Sequence, residues 1–195
     1  KKRDASPTAI RELAERFGLD LLTASILARR GVQTPADALY FLEDDARFLR
    51  NPFLFSAMED AVDRILLAAD EEEKVLVFGD RDADGVSATT LMMEALAEIG
   101  IQAAYRLPNE DEKYGLSTAA IDEFAVGYGS LIITVDCGIS NHAEIAYARE
   151  KGIDVIVVDH HVLQADAPPP ALAVINPKLD DSGYPFRDLS GCGTA

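Results

Sequence analysis

Carboxylates follow three of the most apolar runs in this sequence. The runs VLVFGD, LIITVD and DVIVVD end on Asp80, Asp136 and Asp159. In an open parallel sheet, the carboxyl ends of the strands line one crevice, and ligands bind there. We therefore expect these three side chains to converge in space.

Two further acids crowd the first of these strand ends. In GDRDADG, Asp80, Asp82 and Asp84 stand two residues apart. Residues two apart in an extended segment point to the same side, so the three carboxylates are expected to share one face. Their mutual repulsion indicates that a positive charge lies beside them.

A histidine pair follows the third strand end. His160 and His161 come directly after Asp159 and add imidazole nitrogens to the cluster. Mixed oxygen and nitrogen ligands suit manganese, magnesium or zinc. Adjacent residues face different ways, so at most one of the two histidines should bind a given ion. Two ions are expected, because the candidate ligands are too many for one: Asp82, Asp84, Asp136 and His160.

Two other classes of protein also place aspartates in this way. DRDADG matches the start of a calcium-binding EF-hand loop, but position 12 would be Leu91 instead of Glu, and a predicted strand precedes the loop. A haloacid-dehalogenase-like phosphatase uses DxD after a strand, with an aspartyl nucleophile. That class does not explain the histidine pair.

The elements that would position these residues are those of an α/β fold. From Lys74 onward, short β-branched runs alternate with helical segments, which predicts a parallel sheet of about five strands with helices on both faces. Strands are predicted near KVLVFG, QAAYRL, SLIITV, DVIVV and LAVIN. Helices are predicted near 86–99, 117–126 and 141–151, the last with Asn141 and Glu144 as a capping pair.

The first 70 residues are predicted to be a helical leader. Ser6 and Pro7 form one helix start, and Thr34, Pro35 and Asp37 form another as a capping box. Two more segments carry apolar residues at helical spacing, LDLLTASILARRG and MEDAVDRILLAAD. We expect residues 1–70 to pack on a catalytic domain over 71–195.

Composition limits the classes of function. The formal net charge of −16 argues against an autonomous DNA-binding surface, because affinity for phosphate comes from clustered Lys and Arg. Bound divalent cations would offset several of these charges, and a basic surface can lie on a part of the protein outside this sequence.

Location and redox state follow from the apolar runs and the cysteines. No apolar run approaches the roughly 18 residues of a membrane span, and KKRDASPTAIRE lacks the apolar stretch of a signal peptide, so a cytoplasmic protein without membrane contact is expected. Cys137 and Cys192 lack CxxC-type spacing and are expected to be free thiols.

Three motifs resemble a known family. GDRDADGVSAT, TVDCGIS and VVDHH are similar, in order and spacing, to the first three motifs of the DHH phosphoesterase family. More narrowly, three other segments look like those of RecJ-type single-stranded-DNA-specific exonucleases: LARRGVQTPADALYFL, LPNEDEKYGLS and INPKLDDSGYPFRDLSGCG. The resemblance covers essentially the whole sequence.

The resemblance implies an activity and a set of ligands. The activity is 5′-to-3′ degradation of single-stranded DNA to mononucleotides, dependent on Mn²⁺ or Mg²⁺, in recombination and repair. The implied metal ligands are Asp82, Asp84, Asp136 and His160, with Asp136 bridging two ions. The resemblance also implies that His161 meets the phosphate and that Asp80 and Asp159 support the site.

The family pattern extends further than this chain. It supplies another metal-binding Asp and a second domain beyond the third motif, so these residues resemble an amino-terminal half that is truncated at its carboxyl end and can be inactive alone. Contacts with a single-strand-binding protein or a helicase are expected through the absent parts. Arg81 replaces a usual aromatic residue, and Glu110 and Lys113 stand where Arg and Gly are commoner. The match is therefore closer for the metal ligands than for substrate contacts.

Two alternatives stay open. The same site in other DHH branches acts on short oligonucleotides, cyclic dinucleotides or pyrophosphate, which the acidic net charge favours slightly and the helical leader disfavours. A non-catalytic scaffold with a relic metal site is the other. The intact acids and histidines count against such decay.

Overall fold

The chain divides into two compact units. The computed structural model describes residues 4–32, 34–42 and 49–195, and Gln33 of the predicted leader lies outside these ranges. The units cover residues 1–50 and 51–195. The helix over Met58–Asp70 therefore belongs to the second unit, whereas the sequence predicts it as part of the leader over residues 1–70. Packing of the leader on the catalytic domain stays a prediction.

The first unit is helical, as the sequence predicts. Its helices are α1 Pro7–Phe17, α2 Leu21–Arg29 and α3 Pro35–Leu42. The Thr34 N–H donates to Asp37 and the Asp37 N–H donates to Thr34, which confirms the capping box at α3. Ser6 precedes α1 without a side-chain cap bond. A small apolar core forms around Leu13, Ala24 and Leu27.

The second unit is a five-stranded parallel sheet with helices packed on its two faces. In chain order the elements are α4 Met58–Asp70, β1 Val75–Phe78, α5 Ala83–Glu98, β2 Ala104–Arg106, α6 Thr118–Val126, β3 Leu131–Val135, α7 His142–Glu150, β4 Asp154–Val158, β5 Ala173–Ile175 and α8 Gly191–Thr194. The strand order is β2-β1-β3-β4-β5, and every neighbouring pair is parallel. This confirms the predicted fold class.

Burial of both sheet faces explains the apolar runs. Alternate strand residues point to opposite faces, so each face has its own core. One core joins Val77, Ile133 and Ile156 to buried residues of α4 and α5. The other core joins Leu76, Ile132 and Val157 to buried residues of α6 and α7. Both faces are therefore covered, and the open strand ends are left for a ligand.

The turn after β1 differs from the sequence prediction. The α5 helix begins at Ala83 rather than near residue 86, because the Asp82 carboxylate accepts hydrogen bonds from the N–H groups of Asp84 and Gly85, each at 2.9 Å. Asp84 therefore lies in the first helical turn. The prediction of an extended segment over residues 80–84 is wrong, so the alternation from which a single face was expected does not hold at Asp84.

Asn141 also acts differently from its prediction. It precedes α7 but makes no side-chain cap bond. Its amide instead pairs with both the N–H and the C=O of Leu116, and its Nδ2 donates to Glu144 at 3.2 Å. Asn141 thus fastens the start of α7 to the segment that precedes α6. None of the helices in the described ranges is long and apolar enough to cross a membrane.

Candidate metal centre

Asp136 stands at the carboxyl end of β3 in an uncommon backbone conformation. Its φ is +57°, in the left-handed region that Asp tolerates better than most residues. Its side chain is only 3 % exposed. Atom Oδ1 is buried and accepts no hydrogen bond from the described residues. A buried carboxylate oxygen without a donor is costly, so a cation or a proton is needed beside it.

His160 points a ring nitrogen at this oxygen. Its Nδ1 lies 2.9 Å from the carbonyl oxygen of Leu189, so Nδ1 carries a hydrogen and donates it. In the neutral ring, Nε2 then presents a lone pair, 3.1 Å from Asp136 Oδ1 and 3.7 Å from Asp84 Oδ2. Metal-binding histidines typically donate their other ring N–H to a carbonyl or carboxylate in this way. The donor set fits a divalent cation.

Among the residues that the structure describes, two groups of side chains could each hold an ion. Within each group, the candidate ligand atoms lie within 4.8 Å of one another. The groups are Asp80, Asp82 and Asp136, and Asp136, His160 and His161. Asp136 is common to both, which is the arrangement that a carboxylate shared between two ions would have. Asp80, predicted only to support the site, takes part in the first group.

Crowding of negative charge also alters the titration of Asp136. Burial, with the neighbouring Asp84 carboxylate as the next cause, raises the pKa of Asp136 from 3.8 to about 7. The group therefore binds a proton near neutral pH unless another cation takes its place.

Asp84 lies at the edge of these groups and is held by another segment. Its two oxygens accept hydrogen bonds from the N–H groups of Gly191 and Cys192, each at 2.8 Å. Burial alone would raise the pKa of Asp84, but these N–H donors outweigh it and the pKa is lowered. The carboxylate thus stays ionised and oriented toward His160.

Asp159 supports the histidine pair through hydrogen bonds. It is fully buried and accepts hydrogen bonds from the backbone N–H groups of His160 and His161 and from His161 Nδ1, the last at 2.7 Å. Its other oxygen accepts from the N–H of Ile139 at 2.9 Å. Burial would raise the pKa of Asp159, but the bonds from His161 lower it.

The same contact fixes the ring of His161. Its hydrogen bond to Asp159 raises the pKa of His161, so the ring holds a proton more readily near neutral pH. With Nδ1 engaged, Nε2 is the remaining polar atom of the ring. Tyr114 lies beside it, with its hydroxyl donating to the backbone carbonyl of Asp136 at 2.8 Å and lying 3.1 Å from His161 Nδ1.

Sequence reasoning missed the role of residues 189–192. This segment supplies the Leu189 carbonyl to His160 and two N–H groups to Asp84. A Cβ on Gly191 would lie 2.2 Å from Asp136 Oδ1, so glycine is required for the close approach. The run of small residues SGCG is the feature of the sequence that could have indicated this close approach.

The sequence matches a family model across the sheet and the site. Residues 74–195 match the DHH family, N-terminal domain. The chain belongs to the DHH family. Its Asp159, His160 and His161 are the residues after β4 on which the resemblance rested.

Two curated relatives of this DHH chain have the same description. The single-stranded-DNA-specific exonuclease RecJ of Bacillus subtilis is 36% identical over 187 residues, which are 95% of this chain and 24% of the relative. RecJ of Escherichia coli is 38% identical over 176 residues, 89% of this chain and 30% of the relative. The chain thus spans about a quarter to a third of the length of these relatives.

Solved structures agree with the fold of this DHH chain. RecJ of Thermus thermophilus in complex with Mn²⁺ superposes with a TM-score of 0.68 at 26% identity, covering 98% of this chain and 26% of that one. An exonuclease RecJ bound to manganese gives a TM-score of 0.64 at 32% identity, covering 75% and 37%.

Metal affinity of this DHH site should depend on pH. A metal ion must displace the proton that Asp136 carries below its pKa of about 7. We expect Mn²⁺ affinity to fall as pH falls through about 7, and binding near neutral pH to release a proton. Calorimetry in two buffers of different ionisation enthalpy, at about pH 6 and about pH 8, measures both quantities. Equal affinity at the two pH values would contradict the expectation.

Proposed function

We propose that the protein containing this chain degrades single-stranded DNA from its 5′ end by hydrolysing phosphodiester bonds, with Mn²⁺ or Mg²⁺ at the candidate metal centre. The observation that carries the proposal is the buried Asp136 Oδ1, which lacks a hydrogen-bond donor among the described residues and lies 3.1 Å from His160 Nε2. The descriptions of the RecJ relatives support the choice of substrate.

The residues divide into holding and orienting roles. Asp80, Asp82, Asp136 and His160 would hold the ions. Asp84, a predicted ligand that lies outside both groups, would stand beside them. Divalent cations bound there supply a water of lowered pKa and neutralise charge on the attacking and leaving oxygens. The 189–192 segment and Asp159 keep these side chains oriented before substrate arrives, which lowers the reorganisation that the reaction requires.

His161 would act on the phosphate. Its Nδ1 donates to Asp159, and this hydrogen bond both fixes the ring and favours its protonated form. Nε2–H can then donate to a phosphoryl oxygen or to the leaving group. The side chain is 46% exposed, so a substrate can reach it.

Protein partners extend this proposal, and smaller substrates are an alternative to it. Contacts with a single-strand-binding protein or a helicase, through parts outside this chain, are supported by the RecJ resemblance alone. The net charge of −16 favours small substrates such as short oligonucleotides or cyclic dinucleotides. The helical leader opposes that choice.

Labelled DNA tests the proposal. With Mn²⁺ and a long single strand, we expect a 5′ label to appear at once as mononucleotide and a 3′ label to remain on progressively shorter strands. Duplex of the same sequence should be cut slowly. Faster cleavage of dinucleotides than of the long strand would favour the small-substrate alternative. Wild-type protein without saturable Mn²⁺ binding would favour the relic scaffold.

A further inference from the structure

The proposed site concentrates negative charge. Five carboxylates surround it, namely Asp80, Asp82, Asp84, Asp136 and Asp159. When these carboxylates are ionised, two divalent cations and a protonated His161 would at most neutralise them. A phosphate group of a nucleic acid strand adds further negative charge. Productive binding therefore calls for a fixed cation at the rim, supplied by a side chain.

Arg81 is the candidate for this cation. It lies between two of these acids in the turn from β1 to α5, and it is exposed. Its Nη1 donates to the carbonyl oxygens of Asn109 and Glu110, at 3.0 and 3.3 Å. Within the described ranges, no hydrogen bond or ion pair occupies its Nε or Nη2. Nη1 is thus held by the backbone, and the N–H groups of Nε and Nη2 remain available to a ligand.

The nearby Arg106 shows the contrast. It is the arginine at the end of β2, and its guanidinium makes ion pairs with Glu112 at 2.7 Å and Glu123 at 2.8 Å. Its charge is therefore balanced by carboxylates of the protein itself. Among the described residues, the partners of Arg81 are the neutral carbonyl oxygens of Asn109 and Glu110, so no ion pair offsets its charge.

The chemistry of this arrangement suits a phosphate. The planar guanidinium has five N–H donors in a fixed fork, which matches two oxygens of one phosphate group. Restraint of Nη1 by two carbonyls reduces the side-chain entropy lost when a ligand binds. We propose that Arg81 binds the phosphate next to the one being hydrolysed, and so positions the strand over the carboxylate cluster. This proposal rests on the proposed function.

Strand binding by matched variants tests the role of Arg81. Arg81→Gln is compared with Arg149→Gln, which removes an exposed arginine from α7. Affinity for a 5′-phosphorylated oligothymidylate is measured with Ca²⁺ in place of Mn²⁺, over a range of salt concentrations, in the protein containing this chain. Loss of a charged hydrogen bond should weaken binding by Arg81→Gln about tenfold or more. The slope of log K against log salt should become shallower by about 0.7, the value for one lost phosphate contact.

Other readouts separate positioning from structure. Arg81→Gln should raise KM for single-stranded DNA much more than it lowers kcat, and should leave Mn²⁺ affinity unchanged. Arg81→Lys should recover the salt slope but only part of the affinity, because a lysine lacks the fork. Arg149→Gln should match wild type in every measurement.

The outcomes distinguish this proposal from the proposed function. Equal strand affinity in Arg81→Gln and Arg149→Gln would overturn the role of Arg81, and so would a parallel loss of Mn²⁺ affinity, which would show that Arg81 only supports the loop. If the wild-type protein binds the strand through Arg81 but does not cut it, the proposed nuclease activity is refuted and the proposed phosphate contact of Arg81 is retained. Wild-type protein that neither binds nor cuts would overturn both.

Discussion

Replacement of Asp136 by Asn is expected to abolish Mn²⁺-dependent cleavage and, at the same time, to stabilise the metal-free protein above neutral pH. Asp136 is common to both candidate ligand groups, and its Oδ1 faces His160 Nε2. Even changes to residues that only support a metal ligand cost 10–100-fold, so we expect activity and Mn²⁺ affinity to fall by more than about 100-fold. Asn keeps the size of Asp and is equally tolerant of the positive φ.

The gain in stability follows from the raised pKa. Unfolded Asp136 titrates near 3.8 and the folded group near 7. Between these values the native state binds more protons than the unfolded state, so the free energy of unfolding falls as pH rises from about 4 to about 7 and stays low above. The loss is on the order of 4 kcal/mol at about pH 8. A neutral Asn does not incur it.

Urea unfolding in the presence of a chelator, at about pH 5 and about pH 8, measures this effect. The stability advantage of Asp136→Asn over wild type should be larger at the higher pH. The matched control is Asp166→Asn, which neutralises an exposed loop carboxylate and should change neither stability nor activity. A variant that is inactive because it is less stable than wild type at both pH values would show that Asp136 has a structural role instead.

Strand-end aspartates were predictable because burial imposes a simple pattern. The strands β3 and β4 lie inside the sheet with helices on both faces, so Leu131–Val135 and Asp154–Val158 are nearly continuous apolar runs. The residue after each run must then lie at the carboxyl end of the sheet. Asp136 and Asp159 could be placed near one another on that ground alone.

Contacts distant in sequence were not predictable in the same way. Asp84 meets the N–H groups of Gly191 and Cys192, more than one hundred positions away, and no periodicity of the sequence encodes that pairing. The tautomer of His160 depends on the Leu189 carbonyl, a backbone atom that every residue has. Local capping also competed with strand geometry, because Asp82 starts α5 early and separates Asp84 from the run before it. The candidate ligands at the strand ends could thus be predicted from the sequence. The hydrogen bonds by which the 189–192 segment orients them could not.

That later loop makes a second large effect testable. Gly191→Ala adds a methyl group whose carbon would lie 2.2 Å from Asp136 Oδ1, while the N–H of the same residue binds Asp84. The contact is far inside van der Waals distance, so the 189–192 segment must move away from the carboxylates. Asp84 then loses the N–H donors that lower its pKa, and His160 loses the carbonyl that fixes its ring.

We expect Gly191→Ala to weaken Mn²⁺ binding about 10–100-fold, the range observed when residues that orient metal ligands are changed. Calorimetry with Mn²⁺ measures the loss, and urea unfolding in chelator checks that the sheet remains folded. Gly193→Ala is the matched control two residues away, because a Cβ there meets Ser190 Oγ at 3.4 Å, an ordinary contact. Full Mn²⁺ affinity in Gly191→Ala, or an equal loss in Gly193→Ala, would mean that the 189–192 segment does not orient the ligands. Selective loss in Gly191→Ala would show that metal binding depends on a glycine that itself offers no ligand.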